Sequence, residues 1–190
     1  LIKNPYVSAY RLAFHLTNAL IIYCILFWTS LSLFFGTKKN LKRTKFIKNL
    51  FHISLILVFV TIVSGGFMAG TNAGHSFNTF PLMNEQLIPE GYYISDYGWK
   101  NVFENTIAIN FNHRWLAILS FLFISSTVLY IFFRKEDYNN FSLLIVFLIL
   151  FLQICLGIIT LVYEVPIVYA SLHQTNSVFL LSAMLFAYHR

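Results

Sequence analysis

Charge is scarce in this chain. Lysine, arginine, aspartate and glutamate together make up 11% of its 190 residues, against 58% hydrophobic residues, and the mean hydropathy is +0.70. So little polar surface cannot cover a water-exposed globule, which excludes a soluble fold for most of the sequence. Cysteine is nearly absent. Cys24 and Cys155 both fall within apolar runs, so neither a disulfide framework nor a CxxC metal motif is available, and packing is their reading. An initiator Met, a positively charged leader and a small-residue cleavage site are also missing, and the chain that opens at Leu1 reads as the remainder of something longer.

Long apolar runs take their place. They cover residues 7–35, 50–70, 106–133, 141–163 and 167–188. A hydrocarbon core of roughly 30 Å takes about 20 helical residues to cross, and each run supplies them. In lipid only a helix satisfies its own backbone without closing a barrel, so the sequence predicts an all-α membrane protein of five transmembrane helices. Residues 71–105 form the one long polar interval, with Pro81, Pro89, Gly91 and Gly98, the acids Glu85, Glu90, Asp96 and Glu104, and several aromatics. This is a loop outside the membrane with an aromatic-rich segment at the interface.

Net charge of +6 would point to nucleic acid in a soluble protein. Here Lys38, Lys39, Lys42, Arg43, Lys45 and Lys48, six of the thirteen basic residues, sit in one short segment, which reads as a cytoplasmic loop and not as a nucleic-acid surface. With Arg134, Lys135 and Arg190, nine of the thirteen fall at places that five spans put on one side. The segment therefore starts outside and ends in the cytoplasm, with the long loop and the Glu164-Val165-Pro166 turn outside.

A repeat joins the first run to the last. Ala13-Phe14-His15-Leu16-Thr17-Asn18 aligns without gaps on Ser171-Leu172-His173-Gln174-Thr175-Asn176, sharing His-x-Thr-Asn. Helices two to five would then form one complete four-helix bundle, and helix one the last helix of a preceding, duplicated bundle.

An ionisable side chain inside a membrane helix is costly without a partner and is a functional candidate by default. His52, His75 and His189 lie at helix ends or in the outer loop, where interfacial solvation accounts for them. His113 and His173 each lie about seven residues inside the outer end of their helices, at one membrane depth. Two such imidazoles are either a bis-His grip on a haem iron within a four-helix bundle or a hydrogen-bonded interhelical pair. Arg114 follows His113, where it can snorkel to headgroups or pair with a haem propionate. Arg11 stands four residues before His15, on the same helix face. Gly65, Gly66, Ala69 and Gly70, with Gly157, permit close helix approach or leave room for a flat macrocycle. Gln153, polar at mid-span, should hydrogen-bond another helix.

Taken in order, several stretches resemble the haem A synthase family. They are Tyr10-Arg11-Leu12-Ala13-Phe14-His15-Leu16, Gly65-Gly66-Phe67-Met68-Ala69-Gly70 with Ala73-Gly74, and Phe77-Asn78-Thr79-Phe80-Pro81-Leu82-Met83. Phe111-Asn112-His113-Arg114, Gln153 with Leu156-Gly157, and Val165-Pro166 leading to His173-Gln174 complete the set. The resemblance implies an inner-membrane enzyme, bacterial or mitochondrial, built of two four-helix halves, which oxidises a ring methyl of haem O to the formyl of haem A for terminal oxidase assembly. It implies haem b as cofactor, with His113 and His173 as axial ligands and Arg114 beside it. His15 and Arg11 would belong to the substrate haem site. Residues 1–36 would be the last helix of the substrate half, 37–49 a basic loop, and 50–190 the haem b half. The lipid bilayer, the substrate haem O, an electron donor of unspecified identity and haem O synthase are the partners it brings.

Two departures stand out. The family's N-terminal half carries a catalytic glutamate three residues before its first histidine; that segment is absent, and Asn110 occupies the equivalent place in the second copy, so no complete catalytic set is expected here. Neither cysteine lies in an outer loop, as in the subgroup without outer cysteine pairs. The main rival is a b-type membrane cytochrome acting only in electron transfer, which usually stacks two ligand histidines on one helix. A transporter with duplicated halves would instead break helices near the midplane.

Overall fold

A computed structural model describes residues 7–36, 43–134 and 137–190; Lys38, Lys39, Lys42 and Lys135 of the basic connections lie outside them. Five long helices dominate: α1 (Ala9–Phe35), α2 (Lys45–Thr71), α4 (Thr106–Arg134), α5 (Asn140–Val162) and α6 (Ile167–His189), with a short α3 (Asn101–Glu104) before α4. Their 23 to 29 residues correspond to roughly 35 to 44 Å at about 1.5 Å per residue. The described residues contain no strand beyond an isolated bridge between Met83 and Gln86.

Four of these helices, α1, α2, α4 and α5, are long and apolar enough to cross a membrane. Large apolar side chains stand on their outward faces, Phe14 at 72%, Leu33 at 81% and Phe34 at 85% exposure among them. Water would penalise such a surface and hydrocarbon accepts it, which makes the chain an all-α membrane protein. The expected fifth span, α6, is as long as α5 but less apolar, because Ser171, His173, Gln174, Thr175, Asn176, Ser177 and Ser182 interrupt it. Several of these are satisfied by protein: Asn176 and Ser177 are buried, Ser177 donates to the Gln174 carbonyl at 2.6 Å, and Ser182 meets the Tyr23 hydroxyl of α1 at 2.6 Å.

Helices α2, α4, α5 and α6 close a ring in which each touches the next and α6 returns to α2, while α1 lies outside against α2 and α6. The apolar core fills the end of the ring away from the long loop. Phe51 and Val58 of α2, Ile124, Val128 and Ile131 of α4, Leu143, Val146 and Leu150 of α5, and Leu180 and Met184 of α6 meet there. Gly66 and Gly70 set the α1 crossing: a β-carbon on Gly70 would lie 2.7 Å from Ala9 Cα, and one on Gly66 3.0 Å from Leu16 Cδ2. At Gly70, against backbone, only glycine permits that approach, while at Gly66 the Leu16 side chain would have to give way.

One boundary departs from the apolar runs by more than a few residues. Helix α2 begins at Lys45, ahead of residue 50, because Thr44 caps it through the Ile47 amide and the polar first turn needs no burial. The 71–105 interval is an ordered loop. Asn101 donates to the Tyr92 carbonyl at 2.7 Å and accepts from the Ile94 amide, and Asn105 donates to the Gly91 carbonyl at 2.7 Å while accepting from the Ile107 amide that opens α4. Tyr10, Phe67 and Phe103 cluster edge-on and tilted around the loop's end, with the Tyr10 hydroxyl donating to Glu104 at 3.0 Å.

Candidate functional site

At the loop end of the ring the apolar core gives way to polar and small residues. Helices α4 and α6 both start there, and His113 and His173 stand seven and six positions inside them, about 10 Å along each axis. Every residue of α5 from 153 to 160 is half-buried, in contrast to the alternation of buried and exposed positions along its first turns.

Each imidazole has one polar neighbour and one glycine. Ser64 of α2 lies 2.6 Å from His113 Nδ1 and also donates to the Thr61 carbonyl at 2.8 Å. Beside it, a β-carbon on Gly65 would come 3.4 Å from His113 Cε1. On the facing helices, Gln153 Nε2 lies 3.2 Å from His173 Nδ1 and 3.4 Å from Nε2, and Asn176 donates to Gln153 Oε1 at 2.7 Å and to the Ile149 carbonyl at 3.2 Å. A β-carbon on Gly157 would come 2.9 Å from His173 Cε1, too near for any other residue without a shift. The glycines thus divide by place: Gly66 and Gly70 face a helix, while Gly65 and Gly157 face an imidazole, with only Gly157 leaving no room for a β-carbon. Gln153 finds its helix in α6.

Arg114 is buried, and three of its N–H groups serve the loop and its own helix. Nε donates to Asn110 Oδ1 at 2.7 Å, and the two terminal nitrogens donate to the Thr79 and Phe77 carbonyls. One N–H on each terminal nitrogen remains, since a guanidinium carries five. Asn110 is fully buried and completes the link by donating to the Ala73 carbonyl at 2.7 Å. Sequence reasoning missed this coupling of α4 to the loop; the Arg–Asn spacing of four was its only signal.

Arg11 and His15 lie on the exposed side of α1, outside the ring. Asn18, the repeat partner of Asn176, bonds back to the Phe14 carbonyl at 2.8 Å and reaches no other helix. His75 is exposed in the loop, His52 stands 4.9 Å from the Tyr188 ring at the opposite end, and His189 lies beside Ser32 and Trp28. Among the described residues no three His, Cys, Asp or Glu side chains converge on a metal-sized site. His113 and His173 together would suit an ion whose remaining ligands come with a macrocycle.

The family model of the cytochrome oxidase assembly proteins, COX15-CtaA, matches residues 1–185. This chain belongs to the COX15-CtaA family. Among its relatives, the haem A synthase of Granulibacter bethesdensis is 40% identical over 183 residues, 96% of this chain and 48% of the relative. That of Wolbachia pipientis from Culex pipiens is 37% identical, covering 98% and 54%, and the bovine haem A synthase COX15 is 39% identical, covering 95% and 45%. The chain spans about half the length of the curated relatives it matches. Within the COX15-CtaA match lie both histidines, both ring glycines and the Arg114 link.

Proposed function

We propose that the whole protein is a haem A synthase, an oxidoreductase that converts a ring methyl of haem O to the formyl of haem A, and that residues 50–190 supply the half that holds a haem b. The observation that carries the reading is the pair His113 and His173, seven and six positions inside their helices, each beside a glycine, with Gly157 so near His173 that a β-carbon there would crowd the ring. The family match and the relatives' names support the reaction class.

The residues fit the group. Imidazole is a good ligand for haem iron, Gly65 and Gly157 let the two rings lie close against α2 and α5, and the free N–H pair of Arg114 is suited to a propionate. Bound haem b supplies one-electron redox chemistry. The chain's part is to ligate through His113 and His173, to hold the carboxylate edge with Arg114, and to exclude water with the loop that Arg114 and Asn110 fasten over α4. His15 and Arg11, on the open side of α1, are assigned to the substrate haem site of the other half. The inner membrane, plasma or mitochondrial, is the setting, with the loop end outside, the C-terminus in the cytoplasm or matrix, and α6 as the fifth span. Haem O synthase is the expected source of the substrate.

Purified whole protein is expected to show a low-spin haem b spectrum that His113→Ala or His173→Ala removes. Deletion of its gene is expected to accumulate haem O and eliminate haem A. Haem A retained in the deletion strain overturns the enzyme reading in favour of an electron-carrying cytochrome, and a haem-free protein overturns the cofactor assignment.

A further inference from the structure

The helices that carry the two histidines, α4 and α6, stand opposite each other in the ring, so the span between the imidazoles depends on what lies between them. At the loop end that is Ala73-Gly74, buried just after α2. Toward α4, the Ala73 carbonyl accepts from Asn110 at 2.7 Å, one turn before His113. Toward α6, Val165 Cγ2 sits 2.9 Å from where a β-carbon on Gly74 would lie. Val165 belongs to the turn from which α6 starts two residues later.

Val165 holds that place against its own preferences. Its φ is +60°, directly after +61° at Glu164. A β-branched residue and a residue before proline both favour negative φ, and left-handed residues ordinarily occur singly. Such a conformation persists only where its surroundings over-determine it. The Val165 amide donates to the Thr160 carbonyl at 2.8 Å, the Pro166 carbonyl accepts from the Ala170 amide at 3.0 Å, and Asn78 of the loop donates to the Glu164 carboxylate at 3.3 Å. None of these bonds needs a valine, and glycine would adopt the same φ freely. What valine adds is a branched, rotationally stiff side chain set against Gly74.

We propose that Val165 is a positioning residue: seated on Gly74, it completes a strut from α4 to α6 that sets the span between His113 and His173. The strut has two joints, the Asn110–Ala73 hydrogen bond on the α4 side and the Gly74–Val165 contact on the α6 side. The proposal rests on the haem b reading above, which requires both imidazoles to reach one iron.

The test uses the whole protein in detergent. Val165→Gly relieves the backbone and removes the contact, so the denaturation midpoint should hold or rise while part of the ferric haem passes from low to high spin. Its haem should also be lost about tenfold faster to a soluble haem scavenger, the scale of lost support around a metal ligand. Gly74→Ala, which pushes Val165 away, should change the spectrum in the same direction. Combining it with Val165→Ala should restore low spin, because the added methyl takes the place of a removed one. A residue that only packed would lose stability and low-spin haem together. Val165→Gly with an unchanged haem spectrum, or with a midpoint that falls in step with haem loss, overturns the strut and leaves the haem b reading standing. A double variant no nearer low spin than Gly74→Ala does the same. Unaltered protein without haem overturns both.

Discussion

The two ends of the helical ring are built on different principles. Away from the long loop, apolar side chains interdigitate, with Phe51 stacked on Tyr138 at 5.5 Å and Val146 wholly buried. At the loop end the interior is lined by histidine, serine, glutamine, asparagine and glycine, and the bonds that matter are hydrogen bonds between helices. Lipid tails are as apolar as leucine, so burial alone does not drive these helices together; packing and polar contacts do. The comparison teaches that one end specifies the bundle, leaving the other free to carry space and polarity that cost stability.

The largest effect should come from filling that space. Gly157→Val would put a β-carbon 2.9 Å from His173 Cε1, where an imidazole edge cannot yield without turning the ring. Haem content of the whole protein should fall by at least about tenfold, the scale of lost support around a metal ligand, with the helical circular dichroism unchanged. Gly65→Ala, whose β-carbon would meet His113 at an ordinary 3.4 Å, should keep most of its haem. Equal loss in both variants would remove the distinction between the two glycines.

The converse substitution belongs to the packed end. Phe51→Ala removes a ring that is 1% exposed and touches both Tyr138 and Tyr188. It should destabilise the bundle by roughly 3 kcal/mol, at the low end for such a truncation, because the void is felt in lipid while the transfer from water is not. Denaturant titration in detergent would measure it, and haem per folded molecule should not change. Haem loss at unchanged stability would break the division between the ends.

Much of this division was legible in the sequence and some was not. The apolar runs marked the helices to within a few residues except at Lys45, where a capped polar turn extends α2 outside the run. The similar distance of His113 and His173 from the starts of α4 and α6 followed from counting. What could not be read was rotation about each helix axis: a helix apolar nearly all round carries no face to orient it. Hence Gly65 and Gly66, adjacent in sequence, could not be separated into one that meets His113 and one that meets α1, and Ser64 drew no notice. Arg114 was read as snorkelling to headgroups or pairing with a propionate, and its loop partners Phe77 and Thr79 lie more than thirty positions away.

Arg114 provides the next test. Arg114→Gln should keep the helices and free the loop, since it loses the bonds to two carbonyls. Amide exchange over Phe77–Met83 should rise by about tenfold or more, for the loss of roughly 1.5 kcal/mol or more of charge-assisted hydrogen bonding, and haem retention should drop a few-fold. Unchanged exchange would show that the loop is held by Asn101 and Asn105 alone.

Its counterpart at the packed end is Arg43, and the smallest effect is expected there. Arg43 also reaches backbone carbonyls of other segments, donating from Nε to the Asp137 carbonyl at 2.8 Å and from a terminal nitrogen to that of Tyr188, with its guanidinium carbon 3.7 Å from the centre of the Tyr138 ring. Burial pulls its pKa below the ordinary value while Tyr138 and Asp137 push back. Lysine would keep the charge over the ring but has no planar fork to serve two carbonyls at once. Arg43→Lys should therefore cost about 1 kcal/mol in denaturant titration, the worth of one hydrogen bond, and leave the haem spectrum as it was. A spectral change would mean that the ends are coupled through α2, which carries Phe51 at one extremity and Ser64 near the other.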